Sequence, residues 1–292
     1  MTSARISRRA VLFGGLGVVA AGAAGVAGIE AGVIPGRTTL HALLGLNGEA
    51  GKIPDAEPGP KHDGSFVSAA RDGATCAWTV SYPPGAAVGD ALPVVVVLHG
   101  YDADHTAAFS KLGLDRFQAE AKSPFAIASV DGGDGYWHAR REGGDSGEMV
   151  IDELLPALAA LELTTARVGF LGWSMGGYGA LLLGTQLGPD RVAAIAAESP
   201  AMWVDGGHSP EGAFDDAADY AAHDLAGRQN ELAGIPVRID CGTGDGFYPV
   251  VRDYVAGFST PPEGGFTPGG HDYAYWRRMA PAQLAFLAEH VN

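Results

Sequence analysis

The chain has 292 residues, 47% of them hydrophobic and 18% charged, with a formal net charge of −15. Its length and apolar content suit one sizeable core. The acidity argues against a nucleic-acid partner, and against an anionic membrane as a docking surface for the body of the protein. Histidines are scattered, with no H-E-x-x-H and no Cys/His cluster. The glycine-rich segments lack the strand–helix contexts of phosphate and dinucleotide loops. No metal and no cofactor is therefore expected.

Residues 1–34 stand apart. Ser7-Arg8-Arg9 precedes an Ala/Gly/Val-rich stretch from Val11 to Ile29, the pattern of an export signal. The adjacent arginines favour the twin-arginine route. Two fates are open: cleavage near Ala21-Gly22-Ala23, or retention as a membrane anchor, since the apolar run is long enough to span. Membrane attachment is expected only through this segment. Residues 35–65, rich in Gly, Pro and charge, read as a linker with one short helix around Leu40–Leu46, and residues 66–292 as the folded domain.

Within that domain the expected elements alternate. Strands are read at Ala74–Tyr82, Pro93–Leu98, Phe125–Val130, Val168–Leu171, Val192–Ala197 and Val237–Cys241. Helices are read over 105–121, Glu148–Leu161, the segment containing Ala180–Leu183, and Tyr275–Val291. Pro93–Leu98 is almost uniformly β-branched, as in a strand buried on both faces. This order predicts an α/β fold: a mostly parallel sheet, helices on both faces, and function at the carboxyl ends of the strands. Residues 200–234, acidic and Ala-rich, are the sole candidate for a lid, so a small lid or none is expected. Cys76 and Cys241 fall on an early and a late strand, too far apart in such a sheet for a bridge, and read as buried thiols.

Gly172-Trp173-Ser174-Met175-Gly176 lies between a strand and a helix, as a nucleophile elbow requires. A serine on so sharp a turn needs glycine two residues before and after to avoid steric clash. It also sits at a helix N-terminus, where free N–H groups favour negative charge. Downstream, His271 follows Gly269-Gly270 on a loop. It is the histidine in the right order to serve as base, whereas His208 and His223 come too early and His290 sits on the last helix. Asp245, in a Gly-rich turn past a strand, is the expected acid, with Asp240 as fallback. The oxyanion donors expected are the N–H groups of Met175 and Tyr101. His99 reads as a structural neighbour of that hole. Trp137, Trp173, Trp203, Phe247 and Trp276 flank the proposed site and fit pocket lining and core packing equally well. The acidic loop residues Asp131, Asp134 and Asp145 lack the spacing of a Ca²⁺ loop.

Leu171–Ala180, Cys241-Gly242-Thr243-Gly244-Asp245 and Gly269–Trp276 together resemble the putative-esterase family of α/β-hydrolases. That family includes esterase D/S-formylglutathione hydrolase, feruloyl and acetyl-xylan esterases, and secreted mycolyltransferases. The resemblance spans about residues 70–290. It implies an α/β-hydrolase fold, a triad of Ser174, Asp245 and His271, and Tyr101 and Met175 as oxyanion donors. The mycolyltransferases carry an arginine just after the oxyanion-hole residue, where this chain has Asp102. The expected function is an exported serine esterase acting on a small-molecule, lipid or sugar ester through an acyl-enzyme. The alternatives are acyl transfer to a sugar or envelope acceptor, and a non-catalytic envelope-binding protein.

Overall fold

The computed structural model describes residues 36–291 together with residues 25, 26, 28 and 30. The twin-arginine pair, most of the apolar run and the Ala21-Gly22-Ala23 site fall outside the described residues. Among those described, no helix is long and apolar enough to cross a membrane.

Eight strands form one sheet: β1 (Lys61–Val67), β2 (Thr75–Ser81), β3 (Pro93–Leu98), β4 (Ala126–Val130), β7 (Thr164–Trp173), β8 (Val192–Glu198), β9 (Val237–Gly242) and β10 (Glu263–Thr267). Their spatial order is β1-β2-β4-β3-β7-β8-β9-β10. The β1–β2 and β2–β4 pairs are antiparallel, and every later pairing is parallel. A small hairpin, β5 (Ala139–Arg140) with β6 (Gly144–Asp145), stands off the sheet. The helices are α1 (Arg37–Leu43), α2 (Ala107–Ser110), α3 (Leu114–Ala121), α4 (Ser146–Met149), α5 (Leu155–Ala159), α6 (Met175–Leu187), α7 (Ala217–His223), α8 (Tyr248–Ala256) and α9 (Tyr273–His290).

The pleat explains the uniform run in β3. Val94, Val96 and Leu98 enter one hydrophobic cluster and Val95 and Val97 the other, so apolar residues at successive positions feed both layers. On one face lie α4 to α6 and the aromatic cluster described below. On the other lie α2, α3 and α9.

Several readings need correcting. The helix expected over 105–121 is two, because Gly113 takes φ +73 between them. The helix read from Glu148 starts at Ser146, where the Asp145 side chain accepts from the Gly147 and Glu148 N–H groups. It then widens into a π-helical stretch at Val150–Leu154. Pro156, having no N–H, cannot continue the i→i−4 ladder across that stretch. The stretch read as a linker holds the short helix expected there, α1, shifted three residues earlier, and also the start of the edge strand β1, which runs on to Val67. Its intervening segment lies on the domain: Gly51 N–H donates to Ala274 O at 2.7 Å, and Arg116 Nη1 to Ala56 O at 3.1 Å. β10 was not anticipated, because Gly264 and Gly265 interrupt any apolar pattern and main-chain pairing with β9 alone defines it.

Cys76 and Cys241 are buried free thiols on β2 and β9. The sheet order sets those strands five steps of about 4.8 Å apart.

Candidate active site

β7 ends at Trp173 and α6 begins at Met175, leaving Ser174 alone on the turn with φ 55 and ψ −118. A side chain rarely tolerates this conformation, so the surroundings must hold it. Ser174 N–H donates to Glu198 O at 2.9 Å, while Ser174 O accepts from Tyr178 and Ala201, both at 3.0 Å. The two flanking glycines are sterically obligatory. A Cβ on Gly172 would lie 2.1 Å from Gly176 O, and one on Gly176 would lie 1.9 Å from Leu98 O.

The three side chains singled out from sequence meet at the carboxyl ends of their strands. His271 Nε2 lies 2.8 Å from Ser174 Oγ, and His271 Nδ1 lies 2.8 Å from Asp245 Oδ2. Asp245 is fully buried in the turn after β9, and its second oxygen accepts from Phe247 N–H at 2.9 Å. With Nδ1 facing a carboxylate, the ring carries its proton there and turns the Nε2 lone pair toward the hydroxyl. His271 is wedged edge-to-face between Phe247 and Trp276, at centroid distances of 5.2 and 5.0 Å. Asp272 follows at once and caps α9 through Tyr275 N–H. A hydroxyl held by an imidazole, itself held by a buried carboxylate, is an arrangement that can take up and return the serine proton. Asp240, the fallback acid, is engaged elsewhere: Arg238 grips both its oxygens at 2.8 and 2.9 Å, and Gln283 donates to it at 3.1 Å.

Met175 supplies the first N–H of α6. The His99-Gly100-Tyr101 loop lies against the elbow, since a Cβ on Gly100 would meet Trp173 Nε1 at 2.7 Å. His99 fixes that loop. Its Nε2 accepts from Gly132 N–H at 3.0 Å, so its proton is on Nδ1 and points at Gly100 O, 2.8 Å away. Burial pushes the His99 pKa down and keeps the ring neutral. Asp102 N–H is occupied by Asp134 Oδ1 at 2.8 Å.

Sequence reasoning passed over several residues here. Glu198 ends β8, pairs in register with Asp240, and is fully buried beneath Ser174. Burial first, then the Asp240 charge, raises its pKa well above the usual carboxylate range. The signal was an ionisable residue closing an otherwise apolar strand. Of the flanking aromatics, Trp137, Trp173 and Trp276 are core residues, Trp276 also lying edge-on to His271, while Trp203 and Phe247 are partly buried and stand at the site. Tyr136 and Phe214 complete this wall, which runs from His271 through Phe247, Trp203 and Tyr136 to Tyr101. The 200–234 segment covers this region with α7 and two short 3₁₀ turns.

Among the described residues two groups have the proximity of metal ligands, His138/Asp219/His223 and Asp104/His105/Asp131. Each is closed by its own contacts. His223 Nδ1 lies 2.9 Å from Asp219 Oδ1, and His105 Nδ1 lies 2.6 Å from Asp131 Oδ1. The Arg140 guanidinium lies 3.8 Å from Asp219 and already supplies a positive charge there.

An eight-stranded, mostly parallel sheet with a serine elbow on its central strand and helices on both faces defines an α/β-hydrolase. Residues 74–287 match the family model described as "Putative esterase", and the chain belongs to that family of ester hydrolases. No curated protein matches the chain. Among solved structures it is similar to an S-formylglutathione hydrolase from Agrobacterium tumefaciens. The identity is 19% and the TM-score 0.67, over 84% of this chain and 100% of that one. It is also similar to a substrate-bound, fluorophosphonate-binding serine hydrolase of Staphylococcus aureus, with 20% identity, TM-score 0.63, and 80% and 99% of the two chains covered. A feruloyl esterase module from Clostridium thermocellum, complexed with sinapinate, gives 17% identity and TM-score 0.61, covering 84% and 95%.

Proposed function

We propose that this protein is an exported serine hydrolase that cleaves carboxylic esters through an acyl-enzyme. The observation that carries the reading is the unbroken chain Ser174 Oγ, His271 Nε2, His271 Nδ1, Asp245 Oδ2, with 2.8 Å at each link. Ser174 Oγ attacks the ester carbonyl carbon as its proton passes to His271 Nε2. The oxyanion that forms is held by the N–H groups of Met175 and Tyr101, aided by the N-terminus of α6. The tetrahedral carbon then releases the alcohol, which takes the proton from His271, and leaves the acyl group on Ser174. Water repeats the sequence and frees the acid. Asp245 stays ionised throughout and stabilises the imidazolium.

Hydrolysis is favoured over transfer to a sugar by Asp102, which puts a carboxylate where acceptor-binding relatives carry a cation. The test is labelling of the purified protein with a fluorophosphonate, followed by peptide mapping. We expect a stoichiometric adduct on Ser174 that is lost in His271→Ala. A folded protein without an adduct would sink the hydrolase reading. Export rests on Arg8-Arg9 and the apolar run after them. An R8K/R9K variant should fail to leave the cytoplasm, and unimpaired export of that variant would remove the twin-arginine assignment.

A further inference from the structure

Between the 200–234 segment, α6 and α8 lies a cavity of about 270 Å³ that the proton-transfer chain does not use. Five aromatic residues wall it: Tyr178, Trp203, Phe214, Tyr220 and Tyr254. The rings form a box. Tyr178, Trp203 and Tyr220 each meet Phe214 nearly at right angles, at 89°, 90° and 84°, with centroids 6.2, 5.9 and 5.0 Å away. Two of the phenols are tied back to the main chain, Tyr178 Oη to His223 O at 2.8 Å and Tyr220 Oη to Trp203 O at 3.1 Å. Their rings are therefore held in place before anything binds.

The charges at this cavity are of one sign. Asp224 and Asp253 line it, and no lysine or arginine does. Asp253 is paired with Arg252 at 2.7 Å, and Arg228, whose charge reaches Tyr178 and Tyr254, is paired with Glu231 at 2.8 Å. Asp224 accepts the Ala226 N–H at 3.0 Å and has no ion-pair partner among the described residues. The cavity is joined to the site through its lining residues, although none of Ser174, Asp245 and His271 lines it. Tyr178 and Ala201 both donate to Ser174 O, Met202 and Trp203 follow directly along the cavity wall, and Trp203 packs on Phe247, which packs on His271.

Aromatic faces attract cations most strongly when desolvated, and a fixed box of rings with one unpaired carboxylate selects a bulky cation with an apolar shell. Its volume is at the small end of ligand pockets, which suits a small head group and not a long chain. We infer that this cavity binds the quaternary-ammonium end of a cationic ester substrate. The inference rests on the esterase reading for what happens next at Ser174.

Its test is independent of turnover. Binding of choline and of its uncharged isostere 3,3-dimethylbutan-1-ol to the full chain is followed by titration calorimetry, on wild type, Asp224→Asn and Phe214→Leu. Choline should bind at least about ten-fold more tightly than the isostere, as one desolvated cation–π cage supplies. Asp224→Asn and Phe214→Leu should each erase most of that preference. Equal or tighter binding of the isostere, or a choline preference unchanged in both variants, overturns the inference. A fluorophosphonate adduct on Ser174 with no choline binding would refute the cation site alone. Choline binding with no adduct would refute the hydrolase reading and leave the cation site standing.

Discussion

At the residue scale the site depends on one strained serine and on what stops it relaxing. Ser174 takes a backbone conformation that the packing on both sides enforces, through the Glu198 carbonyl below it and the glycines two places away. The same economy governs the acid. Asp245 has one oxygen on Phe247 N–H and the other on His271, so neither is free to reorient. Replacing it with asparagine keeps the volume but lets the amide favour the wrong imidazole tautomer. Asp245→Asn should lower kcat by about four orders of magnitude while KM for a neutral ester stays within a few-fold. Steady-state kinetics on a chromogenic ester decide it, and a loss of less than ten-fold would mean that another carboxyl orients His271. The meeting of Ser174, His271 and Asp245 was legible in the sequence because it depends on residue order and on glycine spacing, which are local. The partners that make it rigid, Glu198 and the Tyr136–Phe214 wall, were not, because only the tertiary fold brings them beneath and beside the elbow.

At the scale of elements, the cover segment is fastened by histidines as much as by apolar contact. His138, on the loop leading into β5, stacks on His223 of α7 at 4.1 Å and on Phe214 at 5.2 Å. Its Nδ1–H donates to Ala139 O at 2.9 Å, and its buried Nε2 has no partner. Burial first, then the neighbouring His223, brings its pKa down to about 4 from the ordinary 6.5. The native state therefore binds fewer protons than the unfolded chain between those values, so stability falls as pH drops through that window. The loss at the acid end should reach about 3 kcal/mol. His138→Phe keeps the stack and should flatten the slope between pH 6.5 and 4. Urea titrations of both proteins across that range would show it, and parallel slopes would mean that His138 is not the titrating group. Element boundaries were readable wherever apolar residues repeat, as in β3 and β8. They were lost where the main chain alone does the work, as in β10, or where one glycine or proline interrupts a helix, as at Gly113 and Pro156.

At the scale of the whole molecule, the segment read as a linker belongs to the fold. α1 lies on the turn that carries Asp245: Arg37 Nε donates to Thr243 O, and a Cβ on Gly244 would meet His41 Cβ at 2.8 Å and Asn47 Oδ1 at 2.6 Å. Further along, Gly51 and Ala56 are bonded to Ala274 and Arg116. A chain begun at residue 61 should lose at least about 3 kcal/mol, since these three are among the tertiary hydrogen bonds it forgoes, at about 1 kcal/mol each. That corresponds to a drop of about 10 °C in Tm. It should lose kcat as well, since the Asp245 turn is then unsupported. Calorimetry and kinetics on the truncated chain, against one begun at residue 36, test this, and equal Tm values would return the segment to the status of a tether. The two ends of the stretch 36–291 also pack on different parts of the fold. Val291 packs against Gly169, five residues and about 17 Å upstream of Ser174 along β7, whereas Gly36 precedes a helix laid on the Asp245 turn. Anything attached ahead of residue 36, whether a surface, a bead or a fused partner, therefore crowds the mouth of the site. A handle fused after residue 291 leaves that mouth facing the solution, and for immobilising the enzyme in working order it is the end to hold.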